Sequence, residues 1–143
     1  MNVTFEDGFW APRRKMIAEE VIPYQWKALN DQIPGAEPSR AVENFRIAAG
    51  ESDGEFHGMV FQDSDVAKWL EAASYSLQYA PNPELESLID SVVDLIGRAQ
   101  REDGYLNTYF SIAAPERRWK DMSFGHELYC AGHLMEAAVV PAG

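Results

Sequence analysis

Apolar residues recur at helical spacing along most of the chain, and no Asn-Gly or Gly-Asn dipeptide joins two alternating runs, so the pattern predicts a mostly α protein. A first helix is expected from about Pro12 to Leu29. Pro12 suits a first helical position, Met16, Ile17 and Val21 form an apolar face, and Arg13, Arg14, Lys15, Glu19 and Glu20 a solvated one. Pro23 lacks an N–H and is expected to kink this helix or end it early. A Pro- and Gly-bearing stretch from Ile33 to Ser39 precedes a short helix over about Arg40 to Ala49, with Ser39 as its cap and Gly50 as its terminator. Glu51 to Gln62 reads as a loop.

A second long helix spans about Ser64 to Tyr79, capped by Asp63 or Ser64. Its stripe of Val66, Trp69, Leu70, Ala73 and Leu77 and its small remaining residues suit neighbours on more than one side. A third begins at Pro83 behind the cap Asn82, and Leu85, Leu88, Ile89, Val92, Val93, Ile96 and Ala99 follow helical spacing without a break. Asp90, Ser91, Asp94 and Arg98 face away, which makes it a one-sided, outer helix. A fourth, about Glu127 to Val140, is apolar on all sides and is expected to be buried. The order is therefore outer, inner, outer, inner. Antiparallel helical hairpins of this kind are the repeat unit of α/α toroids, and each buries its apolar surface fully only against neighbours.

The 143 residues leave room for one domain, and 46% hydrophobic with 24% charged residues is globular material. A net charge of −11 repels phosphate backbones and anionic lipids, which argues against nucleic-acid and membrane partners. Met1 to Asp7 lack the charged and apolar regions of a signal peptide, and the single cysteine, Cys130, makes no internal disulfide. Both features suggest the cytoplasm.

If the hairpins stack side by side, both inner helices begin at one rim. Phe61, Asp63 and Asp65 then meet Tyr105, Asn107, His126 and Tyr129, and polar groups with aromatics there suit a neutral polyol such as a sugar. Asp63 and Asp65 can be read as paired carboxylates for glycosidic acid/base work or, more simply, as a helix cap and a dipole-favouring charge. Glu127 likewise complements the dipole of the fourth helix. His126 and His133 lie about 10 Å apart along a helix, too far to share an ion as the histidines of a zincin do. Cys130 with either histidine supplies two ligands where a metal site needs three or four, so no metal site is assigned. Cys130 is expected to be an inert core residue. The Asp103-Gly104 turn is followed by Tyr105, Tyr109 and Phe110, which either line a cleft or pin the loop.

Three blocks carry a resemblance: Phe61 to Ala72 (FQDSDVAKWLEA), Asp103 to Phe110 (DGYLNTYF) and His126 to Ala137 (HELYCAGHLMEA). In this order and spacing they resemble glycoside hydrolase family 127, the β-L-arabinofuranosidase-like group, and the Val3-Thr4-Phe5 to Phe9-Trp10 and Asn44-Phe45-Arg46 stretches fit as well. The resemblance implies that residues 1–143 are the N-terminal part of an (α/α)₆ catalytic barrel, about two hairpins plus an opening segment. It implies hydrolysis of terminal β-L-arabinofuranosyl residues by a retaining mechanism, with a cysteine nucleophile on a zinc ion held by further cysteines and a glutamate. That cluster lies downstream of the matched region, so neither catalytic residues nor zinc ligands are assigned here. What carries over is sugar contact, first by His126, then by Asp65, Tyr105, Asn107 and Tyr129. Two other readings are a non-catalytic sugar-binding or assembly module, and a different toroid enzyme such as an epimerase or unsaturated glucuronyl hydrolase. The fourth helix expects a partner outside these residues, so the isolated chain is expected to expose apolar surface and self-associate.

Overall fold

The computed structural model describes residues 6–140, so the Val3-Thr4-Phe5 stretch lies outside the described residues. Every regular element among the described residues is helical. The first is a continuous run: α1 (Trp10–Met16), a π-helical turn (Ile17–Val21) and α2 (Ile22–Leu29). It starts two residues ahead of Pro12 because Asp7 Oδ1 accepts the Phe9 and Trp10 N–H groups at 2.8 and 2.6 Å. Pro23 does not end it. The turn ahead of the proline widens to π geometry, which re-registers the hydrogen bonds around the missing donor.

α3 (Ala41–Ala48) is not capped by Ser39. Its N-cap is Arg40, at φ 57° and with no side-chain cap, held instead by an N–H bond to Asp31 Oδ1 at 2.9 Å. Ser39 accepts from Gln62 Nε2 at 3.3 Å. Gly50 does terminate α3. At φ 73° it lets Glu51 N–H reach the Arg46 carbonyl and its own N–H the Ile47 carbonyl, at 2.9 and 3.0 Å.

α4 (Asp63–Leu77) is the centre of the fold. It packs against α2, α3, α5 (Pro83–Ala99) and α8 (Glu127–Val139), and buries Val66, Ala67, Trp69, Leu70, Ala73 and Leu77. Buried Ser74 and Ser76 donate to carbonyls of their own helix, Leu70 and Ala73, so these positions stay small without an unpaired hydroxyl. Trp69 ties α4 to the first helix: its indole N–H donates to the Ile22 carbonyl at 3.0 Å, and its ring lies 4.4 Å from that of Trp26. α5 is one-sided as expected, burying Ile89, Val92 and Ala99, but Leu95 takes the inward position expected of Val93, which is 50% exposed; Asn82 caps the helix by accepting from Glu84 and Leu85 N–H. The long connection to α8 is more ordered than a loop: it holds α6 (Thr108–Ile112), a 3₁₀ turn (Pro115–Arg117) and α7 (Met122–Gly125).

α8 corrects one expectation. It packs mainly on α4 and buries only Glu127, Cys130 and Ala137, whereas Leu128, Met135 and Val139 are 66%, 68% and 79% exposed. All-round burial needs helices on both sides, and among the described residues α8 has a large neighbour only on one.

Replacing Trp69 by Phe keeps most of the ring contact but removes the indole hydrogen bond to the helical Ile22 carbonyl, and the expected loss is about 0.5–1.5 kcal/mol. Trp69→Ala adds a cavity at the centre and is expected to cost about 3–5 kcal/mol. Urea unfolding midpoints of the two variants check the order and the gap.

Candidate functional site

The first turns of α4 and α8 lie side by side, which brings the predicted rim together. The His126 ring stands edge-on to Phe61 at 5.3 Å and lies 6.0 Å from Tyr129, which stands 4.6 Å from His133. Tyr129 is 43% exposed and Asp65 is half-buried. Lys68 joins them: its ammonium donates to the Tyr129 hydroxyl at 2.8 Å and to Ser64 Oγ at 3.2 Å, and lies 3.9 Å from Asp65. His126, Tyr129 and Asp65 thus share one accessible patch with Phe61. Lys68 was missed in the sequence, where it reads as a solvated charge one turn beyond Asp65.

Tyr105 and Asn107 lie elsewhere in this arrangement. Tyr105 is buried, with its hydroxyl donated to Glu127, while Asn107 is buried and caps α6 by accepting from Phe110 N–H at 3.0 Å. The Asn107 side-chain NH₂ has no partner among the described residues. Tyr105 and Phe110 form a small buried cluster with Ala114, against which Tyr109 packs, so the aromatics of this stretch pin the loop.

Three buried polar side chains hold the rim in place. Asp63 does not cap its own helix: Gln62 occupies that position, and no side chain caps it. Asp63 instead reaches the start of α6, accepting the Thr108 N–H at 2.7 Å and the Thr108 hydroxyl. Glu127, at the start of α8, accepts from Trp119 N–H and from Tyr105. Asn44 clasps the loop before Phe61 in both directions, donating to the His57 carbonyl at 2.8 Å and accepting its N–H at 3.1 Å.

Burial pushes the Asp63 carboxyl up to about 6 against the lowering effect of its Thr108 bonds. Partial burial raises Asp65, offset by Lys68, whereas the Lys68 hydrogen bond lowers the Tyr129 phenol. Cys130 is fully buried and its thiol is pushed up to about 12, which makes it a protonated core residue. His133 Nδ1 lies 3.3 Å from Glu136, and among the described residues no three His, Cys, Asp or Glu side chains converge. These residues therefore do not fit a zinc ion. The patch offers aromatic edges, an ammonium, a carboxylate and an imidazole, groups that can bind and orient sugar hydroxyls.

The family profile described as β-L-arabinofuranosidase, GH127 catalytic domain, matches residues 2–141. The chain belongs to this family. It is similar to a non-reducing end β-L-arabinofuranosidase of Bifidobacterium longum subsp. longum, with 51% identity over 97% of this chain and 24% of that protein. It superposes on the crystal structure of a GH127 β-L-arabinofuranosidase from Geobacillus stearothermophilus T6 with a TM-score of 0.96 and 64% identity, covering 98% of this chain and 22% of that one. A second GH127 structure, a β-arabinofuranosidase, superposes with a TM-score of 0.83 at 35% identity, covering 96% of this chain and 22% of that one. The fold is thus a partial helical toroid of this family, and the chain spans about a quarter of the relatives it matches.

The raised Asp63 carboxyl has a definite sign. Its folded value of about 6 exceeds the ordinary 3.8, so its contribution to stability is full below pH 4 and is lost as pH rises through 6. At about 1.4 kcal/mol per tenfold change in proton affinity, the loss is roughly 3 kcal/mol. The stability difference between wild type and Asp63→Asn is expected to shift by that amount against wild type between pH 4 and pH 7. Parallel stability profiles for the two proteins would contradict it.

Proposed function

We propose that this chain is the N-terminal quarter of a glycoside hydrolase acting on terminal β-L-arabinofuranosyl residues, and that its α4/α8 rim contacts the sugar. The observation that carries this is the convergence of Phe61, Asp65, His126 and Tyr129 on one accessible patch, in a chain 51% identical to a non-reducing end β-L-arabinofuranosidase. His126 is the leading contact because it sits at the lip of α8, partly exposed, with its ring steadied by Phe61. Tyr129 and Asp65 flank it. Tyr105 and Asn107 are proposed to reach the sugar through the loop they hold, and the Asn107 side-chain NH₂ has no partner among the described residues.

The retaining zinc and cysteine chemistry implied by the resemblance belongs to residues beyond these: Cys130 is buried and protonated and has no metal-binding companions among the described residues. Its role in this reading is packing between α4 and α8. No helix among the described residues is long and apolar enough to cross a membrane, and the acidic surface suits a neutral substrate. A cytoplasmic site of action completes the reading.

The test is hydrolysis of an aryl β-L-arabinofuranoside by the full-length gene product, read together with that product's intact mass. Turnover by a product several times heavier than 16.1 kDa supports the reading, with His126→Ala lowering kcat/KM about tenfold or more. A product of 16.1 kDa that binds L-arabinose without turnover would replace it with a binding module. The same reading expects the isolated 143-residue chain to self-associate through the Leu128, Met135 and Val139 face. Sedimentation should show mass rising with concentration, and Met135→Lys with Val139→Lys should suppress the rise. A monomer at all concentrations contradicts that part.

A further inference from the structure

We propose that Glu127 is a positioning residue: its carboxylate closes the loop between Trp119 and His126 and thereby sets where His126 meets the sugar. The inference rests on the reading of His126 as a sugar contact and adds the device that holds it.

Both ends of this loop are left-handed at residues other than glycine, Trp119 at φ 61° and His126 at φ 49°. Such a conformation is strained for a residue with a Cβ and persists only where its surroundings over-determine it. Glu127 supplies that constraint. It is 2% exposed, and its two carboxylate oxygens lie 3.1 and 2.9 Å from the Trp119 N–H. One of them also accepts the Tyr105 hydroxyl. The guanidinium of Arg118 lies over the Tyr105 ring, 3.7 Å from its centroid, and bonds Asp103 at 2.6 Å, so the clasp is backed from behind. Among the described residues no salt bridge includes Glu127. Its oxygens are met by O–H and N–H donors, and the group sits at the start of α8.

The loop has no slack at its other end. A Cβ on Gly125 would meet the Phe110 ring at 2.8 Å and Glu127 Oε2 at 3.5 Å, so the chain lies close against Phe110 and the carboxyl group before turning into His126. At 2% exposed, the Glu127 carboxyl group faces its donors inside the fold and not the accessible patch. Glu127 therefore acts through His126 and not on the substrate.

The experiment is a double-mutant cycle in the full-length gene product, using kcat/KM on an aryl β-L-arabinofuranoside, with crystal structures of the variants. Glu127→Ala is expected to lower kcat/KM about tenfold or more, and adding it to His126→Ala should cost no more than about twofold further. Glu127→Gln keeps one acceptor for Tyr105 and Trp119 and should recover most of the activity. In the Glu127→Ala structure His126 should leave the left-handed region and part from Phe61. Should Glu127→Ala fail to fold, Tyr105→Phe takes its place, since it removes one arm of the clasp and leaves the ring. Additive losses, or a His126 that stays in place without the carboxylate, overturn the inference. A His126→Ala enzyme with unchanged kcat/KM overturns the sugar-contact reading instead, and the variant structures still decide whether Glu127 holds the loop.

Discussion

The two helices that start side by side, α4 and α8, each carry a buried carboxyl group at their first residue, Asp63 and Glu127. This is the constraint on which the rest of the arrangement depends. The exposed N–H groups of a helix start attract negative charge, but a carboxylate removed from water needs donors of its own. Asp63 finds them on Thr108 and Glu127 finds them on Trp119 and Tyr105. Each carboxylate thus recruits a different part of the long connection between α5 and α8. The loop is shaped by the need to satisfy the helix starts, and the accessible patch is what remains outside that shell.

Signals that act within a few residues were legible in the sequence. Asn82 caps α5 and Gly50 closes α3, because each satisfies groups of its own turn. The one-sided burial of α5 was legible for the same reason: a stripe at helical spacing says which side faces in. The meeting of His126, Phe61 and Tyr129 followed from the assumption that hairpins stack, and the packing of α8 on α4 supplies it. Asp63 was misread as a cap because its partner Thr108 lies 45 residues away, where no local pattern reaches. Ser39 has the chemistry of a cap, but Arg40 takes the left-handed turn and the helix starts without it.

α8 shows a different limit. Its composition describes the surroundings of a helix within a complete toroid, and a chain spanning about a quarter of its relatives supplies only one of those surfaces. Leu128, Met135 and Val139 carry information about contacts that these residues do not make among themselves.

The π turn ahead of Pro23 has a consequence for how this segment tolerates change. The helix before it turns Arg14 onto the Tyr79 ring, 3.9 Å from its centroid, and the helix after it turns Ile22 and Trp26 onto Trp69. Those two docking phases are joined by a π turn, which takes about one residue more per turn than an α-helix. Loss of one residue between Ile17 and Val21 would turn i→i+5 bonding into the i→i+4 bonding of a regular α-helix and leave both halves on their seats. In this stretch the chain carries one residue more than a regular helix between the same two seats would need.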